Sequence, residues 1–94
     1  MINSLNQKIM ADPTLKLYGA SWCMKSAKLR NYLQSKWIDF EDFDVEKDEE
    51  ANQTVRALYD GELKFPTLTY GERFFKNPSL DELDRIIKDN QLSD

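Results

Sequence analysis

The sequence predicts a small α/β domain: a four-stranded mixed sheet flanked by helices, in the order β-α-β-α-β-β-α. Three observations carry that reading. First, apolar residues alternate at Leu15 and Leu17 and the run closes on Gly19, after which the apolar positions take a helical period. Second, a further strand-like run, IDFEDFDV over 38–45, follows that helix. A strand, a helix and a strand in succession imply a parallel pair joined by a right-handed crossover. Third, FPTLTYGERFF over 65–75 reads as a hairpin with its turn near Tyr70-Gly71, which adds antiparallel strands. Helices then cover both faces of the sheet. Ninety-four residues suit one domain.

At the N-terminus, Ile2, Leu5, Ile9 and Met10 recur at helical spacing. Residues 1–13 therefore read as a short amphipathic helix or tail, ended by Asp12-Pro13, and 14–94 as the domain proper. The first strand is TLKLYG. From Cys23 to about Lys36 a helix places Leu29, Leu33 and Trp37 on one face, with Lys25, Lys28 and Lys36 toward water. In the second strand Ile38, Phe40, Phe43 and Val45 are apolar. The step from 40 to 43 breaks alternation and predicts a kink or an early end. The second helix covers 46–61: Asp48 and Glu49 suit its start, Val55, Leu58 and Tyr59 form its stripe, and Gly61 falls just past its end. After the hairpin, 77–92 reads as a third helix. Ser79 is its N-cap, with Glu82 three residues on as a capping box. Leu80, Leu83, Ile86 and Ile87 are expected to face the core.

Composition excludes several classes of function. The chain carries 17 acidic and 13 basic residues, a net charge of −4, which argues against nucleic-acid or membrane-surface binding. No apolar run nears the ~20 residues of a membrane span, and the N-terminus lacks the features of a signal peptide. A cytoplasmic protein is expected. There is no histidine, so Cys-His and Ser-His-Asp catalysis and histidine metal sites are absent. One cysteine allows neither an internal disulfide nor a four-ligand zinc site. The acidic run 41–50 places Asp42, Asp44, Glu46 and Asp48 at alternate positions. However, Lys47 stands where a calcium loop needs its turn glycine, and Gln53 where it needs the closing Glu. The run reads as a strand edge and a helix start, and no metal is expected.

Cys23 is the residue with chemistry. At the first turn of a helix, unpaired backbone N–H groups and the helix dipole favour a thiolate. Such placement lowers a cysteine pKa from ~8.5 into a range of roughly 3.5–7.5, and the thiolate is the form that attacks disulfides. Ser26 falls at the right offset for its hydroxyl to bond the Cys23 sulfur. Lys25 and Lys28 add positive charge nearby. Pro66, taken by itself, reads as an ordinary trans proline at a strand start.

WCMKS after a strand, FPT at the opening of the third strand and NPSLDEL at the opening of the last helix together resemble the glutaredoxin family, over residues 14–92. YGASWC, IDFEDFDV and the hairpin-to-NPS stretch are most similar to the mycoredoxin and related glutaredoxin-like branch. The resemblance implies a thioredoxin-like fold with Cys23 as attacking thiolate and a cis Phe65-Pro66 bond. Ser26 stands where dithiol members carry a resolving cysteine, which implies a monothiol form. Trp22, Met24, Lys25, Lys64, Phe65, Pro66, Lys76 and Ser79 would then contact the thiol substrate. Family members that specialise in glutathione carry a Lys at the position of Ala20 and a Gly-Gly pair where this chain reads Lys76-Asn77-Pro78-Ser79. Cluster-carrying monothiol members read Cys-Gly-Phe-Ser, unlike Met24-Lys25 here. The function implied is exchange of a small thiol such as glutathione on mixed disulfides, with no resident cofactor. The expected partners are low-molecular-weight thiols and thiolated proteins, and the expected state is a monomer. The alternatives are an iron–sulfur cluster shared by two chains and a non-catalytic interaction module.

Overall fold

In the computed structural model, which describes residues 13–92, strands and helices follow the predicted order. They are β1 (Leu15–Gly19), α1 (Met24–Ser35), β2 (Glu41–Asp44), α2 (Glu49–Leu58), β3 (Thr67–Tyr70), β4 (Arg73–Lys76) and α3 (Leu80–Asp89). The helix read over 2–10 lies outside the described residues. Among the described residues no helix is long and apolar enough to cross a membrane.

The sheet runs β2-β1-β3-β4. β1 pairs in parallel with β2, from Lys16 opposite Glu41 to Gly19 opposite Asp44. Its other edge pairs antiparallel with β3, from Leu15 opposite Tyr70 to Tyr18 opposite Thr67. β3 and β4 form a tight hairpin in which Tyr70 faces Arg73 and Gly71 begins the two-residue turn at φ +62°. That conformation suits glycine, which lacks the Cβ that would crowd it.

Alternation along β1 divides the core in two. Leu15 and Leu17 meet Leu29 and Leu33 of α1, Leu68 of β3, and Leu83, Ile86 and Ile87 of α3. Tyr18 turns to the other face, where Val45, Ala51 and Val55 are buried under α2. Tyr18 also stacks on Phe43, with ring centroids 5.0 Å apart. β2 is shorter than the run 38–45 suggests. Ile38 and Phe40 pack with the first cluster, Phe43 and Val45 with the second. The interrupted alternation thus marks a change of face.

Each helix ends in the same way. Beyond α1 the Ile38 N–H donates to the Leu33 carbonyl, beyond α2 Gly61 donates to Arg56, and beyond α3 Leu92 donates to Ile87. The residue before each donor, Trp37, Asp60 or Gln91, has φ near +55°. This closes otherwise orphan carbonyls and seats Ile38 against Leu33 and Leu92 beside Ile87. The motif overturns one expectation: Trp37 does not continue the buried face of α1. The left-handed residue at 37 turns its side chain outward, and it is 92 % exposed. Leu80 likewise leaves the core, 42 % exposed, because α3 begins at that residue and its buried stripe starts with Leu83. The N-termini follow the sequence. The Asp48 side chain accepts from the Ala51 N–H, and Ser79 and Glu82 form a reciprocal capping box.

A close junction lies between β1 and α1. Ser26, in the first turn of α1, is fully buried against Gly19. A Cβ on Gly19 would run into the Ser26 hydroxyl and come within 2.6 Å of its Cβ. Gly19→Ala should therefore destabilise the fold by about 1–3 kcal/mol, the range for overfilling a packed interior. The urea unfolding midpoint measures this, and an unchanged midpoint would refute the contact.

Candidate functional site

Cys23 follows the C-terminal end of β1 and is the N-cap of α1, with extended backbone (φ −84°, ψ 117°). Its side chain makes no cap hydrogen bond, so the first N–H groups of the helix stay free to serve a charged sulfur. The thiol is partly exposed. Burial pushes its pKa up. The Ser26 hydroxyl, the N–H groups of Ser26 and Lys25, and the Lys25 charge push it down and together prevail, so the thiol ionises below its ordinary value.

Ser26 holds this arrangement from beneath. Its Oγ accepts from the buried Ala20 N–H at 3.3 Å, while its hydroxyl hydrogen is available to the Cys23 sulfur. One fully buried serine thus joins the end of β1 to the first turn of α1 and to the Cys23 sulfur.

The segment before β3 forms the adjoining wall. The Phe65-Pro66 peptide bond is cis and Pro66 is buried. The Thr67 hydroxyl donates to the Lys64 carbonyl at 2.9 Å, so the Tyr59 hydroxyl, 2.8 Å from Thr67 Oγ1, is the donor in that pair. This chain fixes the backbone that leads into the cis bond. Phe65 meets Trp22 edge to face, with centroids 5.8 Å apart. The indole N–H of Trp22 in turn donates to Glu46 Oε1 at 2.6 Å. Trp22 is therefore held at two points although 67 % exposed, and Met24 is 75 % exposed beside it.

The other residues singled out by the sequence stand as follows. Lys25 and Ser79 line one cleft of about 250 Å³ between α1 and the start of α3, with Lys28, Pro78 and Leu80. The Ser79 N–H is engaged by Glu82 Oε1 at 2.8 Å and its hydroxyl accepts from the Glu82 N–H at 3.1 Å. The Lys64 ammonium pairs with Glu62 at 3.3 Å and lies over the Tyr59 ring. Lys76 lines a different cleft, of about 340 Å³, with Arg73 and Arg85.

Two residues of this region were not singled out from the sequence. Glu46 lies 24 positions from the indole it binds, and only its membership of the acidic run marked it. Gly19 read only as the close of the first strand, which it is, and its further part, making room for Ser26, was not foreseen. Three further carboxylates of that run have structural partners. Asp42 pairs with Arg30 at 2.6 Å, Asp44 accepts from the Glu46 N–H at 2.9 Å, and Asp48 caps α2. Among the described residues no group of three or more Cys, Asp or Glu gathers to hold a metal ion.

Comparison with known proteins places this geometry. The sequence profile of the glutaredoxin family matches residues 15–75. Two Mycobacterium tuberculosis proteins provisionally named glutaredoxins are 28 % identical over 75 residues, 79 % of this chain and 89 % of theirs. Among solved structures, a glutaredoxin of Archaeoglobus fulgidus superposes with TM-score 0.68 at 19 % identity, covering 90 % of this chain and 97 % of that one. The glutaredoxin-like NrdH-redoxin of Escherichia coli gives 0.65 at 20 % identity, covering 78 % and 93 %. A thioredoxin-like protein, BC3987, studied as a variant, gives 0.72 at 20 % identity, covering 80 % and 95 %. The fold is thioredoxin-like.

Ser26→Ala removes both the hydrogen bond to the sulfur and the acceptor of a buried N–H. The Cys23 pKa should rise toward ~8.5, and stability should fall by about 1–3 kcal/mol. Thiolate ultraviolet absorbance against pH, with Cys23→Ser as the blank, reads the first effect. An unmoved titration would refute the role of Ser26. The wild-type shift also sets a sign for stability. Between the folded and unfolded pKa values the unfolded chain keeps a proton that the folded chain has lost. Stability therefore rises with pH through that window and is lost as pH falls through the folded value, a dependence that Cys23→Ser should abolish.

Proposed function

The chain belongs to the glutaredoxin family, and from that membership we propose that it exchanges small thiols on mixed disulfides through Cys23 alone. The observation that supports this reading is the placement of Cys23 at the open N-terminus of α1, with its ionised form favoured by Ser26 and by the first helical N–H groups.

The proposed steps balance without a second protein thiol. The Cys23 thiolate attacks the small-thiol sulfur of a protein–small-thiol disulfide. A bond forms between Cys23 Sγ and that sulfur, the disulfide breaks, and the protein thiolate leaves and takes a proton from water. A second molecule of the small thiol, as thiolate, attacks the small-thiol sulfur of the Cys23 mixed disulfide. Its products are the small-molecule disulfide and regenerated Cys23 thiolate. The small thiol is oxidised and the target protein reduced. Ser26 cannot form a disulfide, so an ordinary protein disulfide attacked by Cys23 would stall as a covalent complex.

In this reading Trp22, Met24 and Phe65 form the apolar side of the substrate surface, and Lys25 with Lys28 its basic side. The Ser79 N–H and the Lys64 ammonium already have internal carboxylate partners. A glutathione-like thiol would accordingly depend on Lys25 and Lys28 for charge, and we place the protein among thiol exchangers of broad small-thiol choice.

The test is reduction of a glutathionylated peptide by the purified protein in excess glutathione. Wild type should catalyse it, and Cys23→Ala should fall to the uncatalysed rate. Equal rates for the two would sink the proposal. Ser26→Cys should gain reduction of an intramolecular protein disulfide, followed as insulin precipitation, which wild type should lack.

A further inference from the structure

At the pole opposite Cys23, where β1 enters the sheet, lies a groove of about 940 Å³. Leu15 and Ile38 of the core cluster form its floor, and Tyr70, Leu92 and Trp37 stand along its sides. Trp37 is the anomaly. It fills the left-handed position after α1, at φ +57°, where glycine is the favoured residue. It is also 92 % exposed. A bulky aromatic there adds nothing to the closure of α1, which backbone N–H groups make whatever the side chain. Lys36, Asp39, Asn90 and Gln91 give the groove a polar rim around that apolar floor, and a tryptophan open to water beside it is the kind of surface that an amphipathic element covers.

Pro13 also lines this groove, so the chain outside the described residues emerges at its rim. That segment, residues 1–12, carries Ile2, Leu5, Ile9 and Met10 at the spacing of one helical face. A nine-residue helix would span about 14 Å, a length that a segment joined to Pro13 could lay along the groove. We propose that residues 1–12 dock in this groove, with Leu5 and Ile9 against the Trp37 ring. The occupant is part of the same chain, so its effective concentration at the groove is high and the ordering cost small compared with that of a free peptide. The groove and Cys23 lie beyond opposite ends of β1, so the proposal stands or falls apart from the redox reading.

The chain has two tryptophans, so Trp22→Phe leaves Trp37 as the sole indole reporter in the full-length protein. Docking predicts blue-shifted Trp37 emission and several-fold weaker acrylamide quenching than for free tryptophan. Adding Leu5→Asp and Ile9→Asp should move the emission to the red and restore quenching. Emission typical of a solvated indole before those changes would overturn the proposal. Shielding that survives Leu5→Asp and Ile9→Asp would also overturn it, and if that shielding faded on dilution it would assign the groove to a second copy. Trp37→Gly in the otherwise natural chain is an independent check. A lowered melting temperature is expected if the ring is covered. A raised one, from glycine relieving the left-handed backbone, would refute docking.

Discussion

The seating of Ser26 on Gly19 is the contact on which the rest of the molecule depends. It brings the first turn of α1 down onto the last residue of β1 at a distance that no larger residue at 19 allows. The same contact lets one hydroxyl accept from the Ala20 N–H and face the Cys23 sulfur. A buried hydroxyl needs partners to offset its lost hydration, and here those partners are the strand end and the Cys23 sulfur. The backbone around Cys23 is thereby fixed by the interior of the fold, while its own side chain remains partly open to water.

A second theme is how the acidic surface is used. Seventeen carboxylates in 94 residues could produce mainly repulsion. Instead Asp48 and Glu82 close helix N-termini, Asp42 pairs with Arg30 and Glu46 holds Trp22. Carboxylates at helix starts meet the positive end of the dipole. Exposed pairs such as Asp42 with Arg30 add only about 0–1 kcal/mol, so their value here lies in orientation. Glu46 is the clearest example, because without it Trp22 would keep only the Phe65 edge contact.

This economy shapes the surface around Cys23. The groups most suited to hold a carboxylate, the Ser79 N–H and the Lys64 ammonium, are engaged within the chain. What faces outward is apolar at Trp22 and Met24 and basic at Lys25 and Lys28. Family membership fixes the chemistry to be considered, and these details give the surface around Cys23 one apolar and one basic side.

By itself the sequence determined whatever depends on short-range physics. Element order, the capping box of Ser79 and Glu82, the Asp48 cap and the place of Cys23 at a helix start all follow from periodicity and from bonds closed within one turn. The resemblance carried by WCMKS, FPT and NPSLDEL added the cis Phe65-Pro66 bond, which residue preferences alone opposed and which the structure contains. The tertiary structure alone decided the rest. Helical spacing placed Trp37 with Leu29 and Leu33, but Ile38 reaching back to Leu33 ended the helix and turned the indole outward. The step from Phe40 to Phe43 became intelligible only once helices lay on both faces of the sheet. Glu46 reaches Trp22, and Gly19 meets Ser26, only after the crossover and the strand register have brought them together. No local pattern encodes such contacts, because each depends on how two separately stable elements pack.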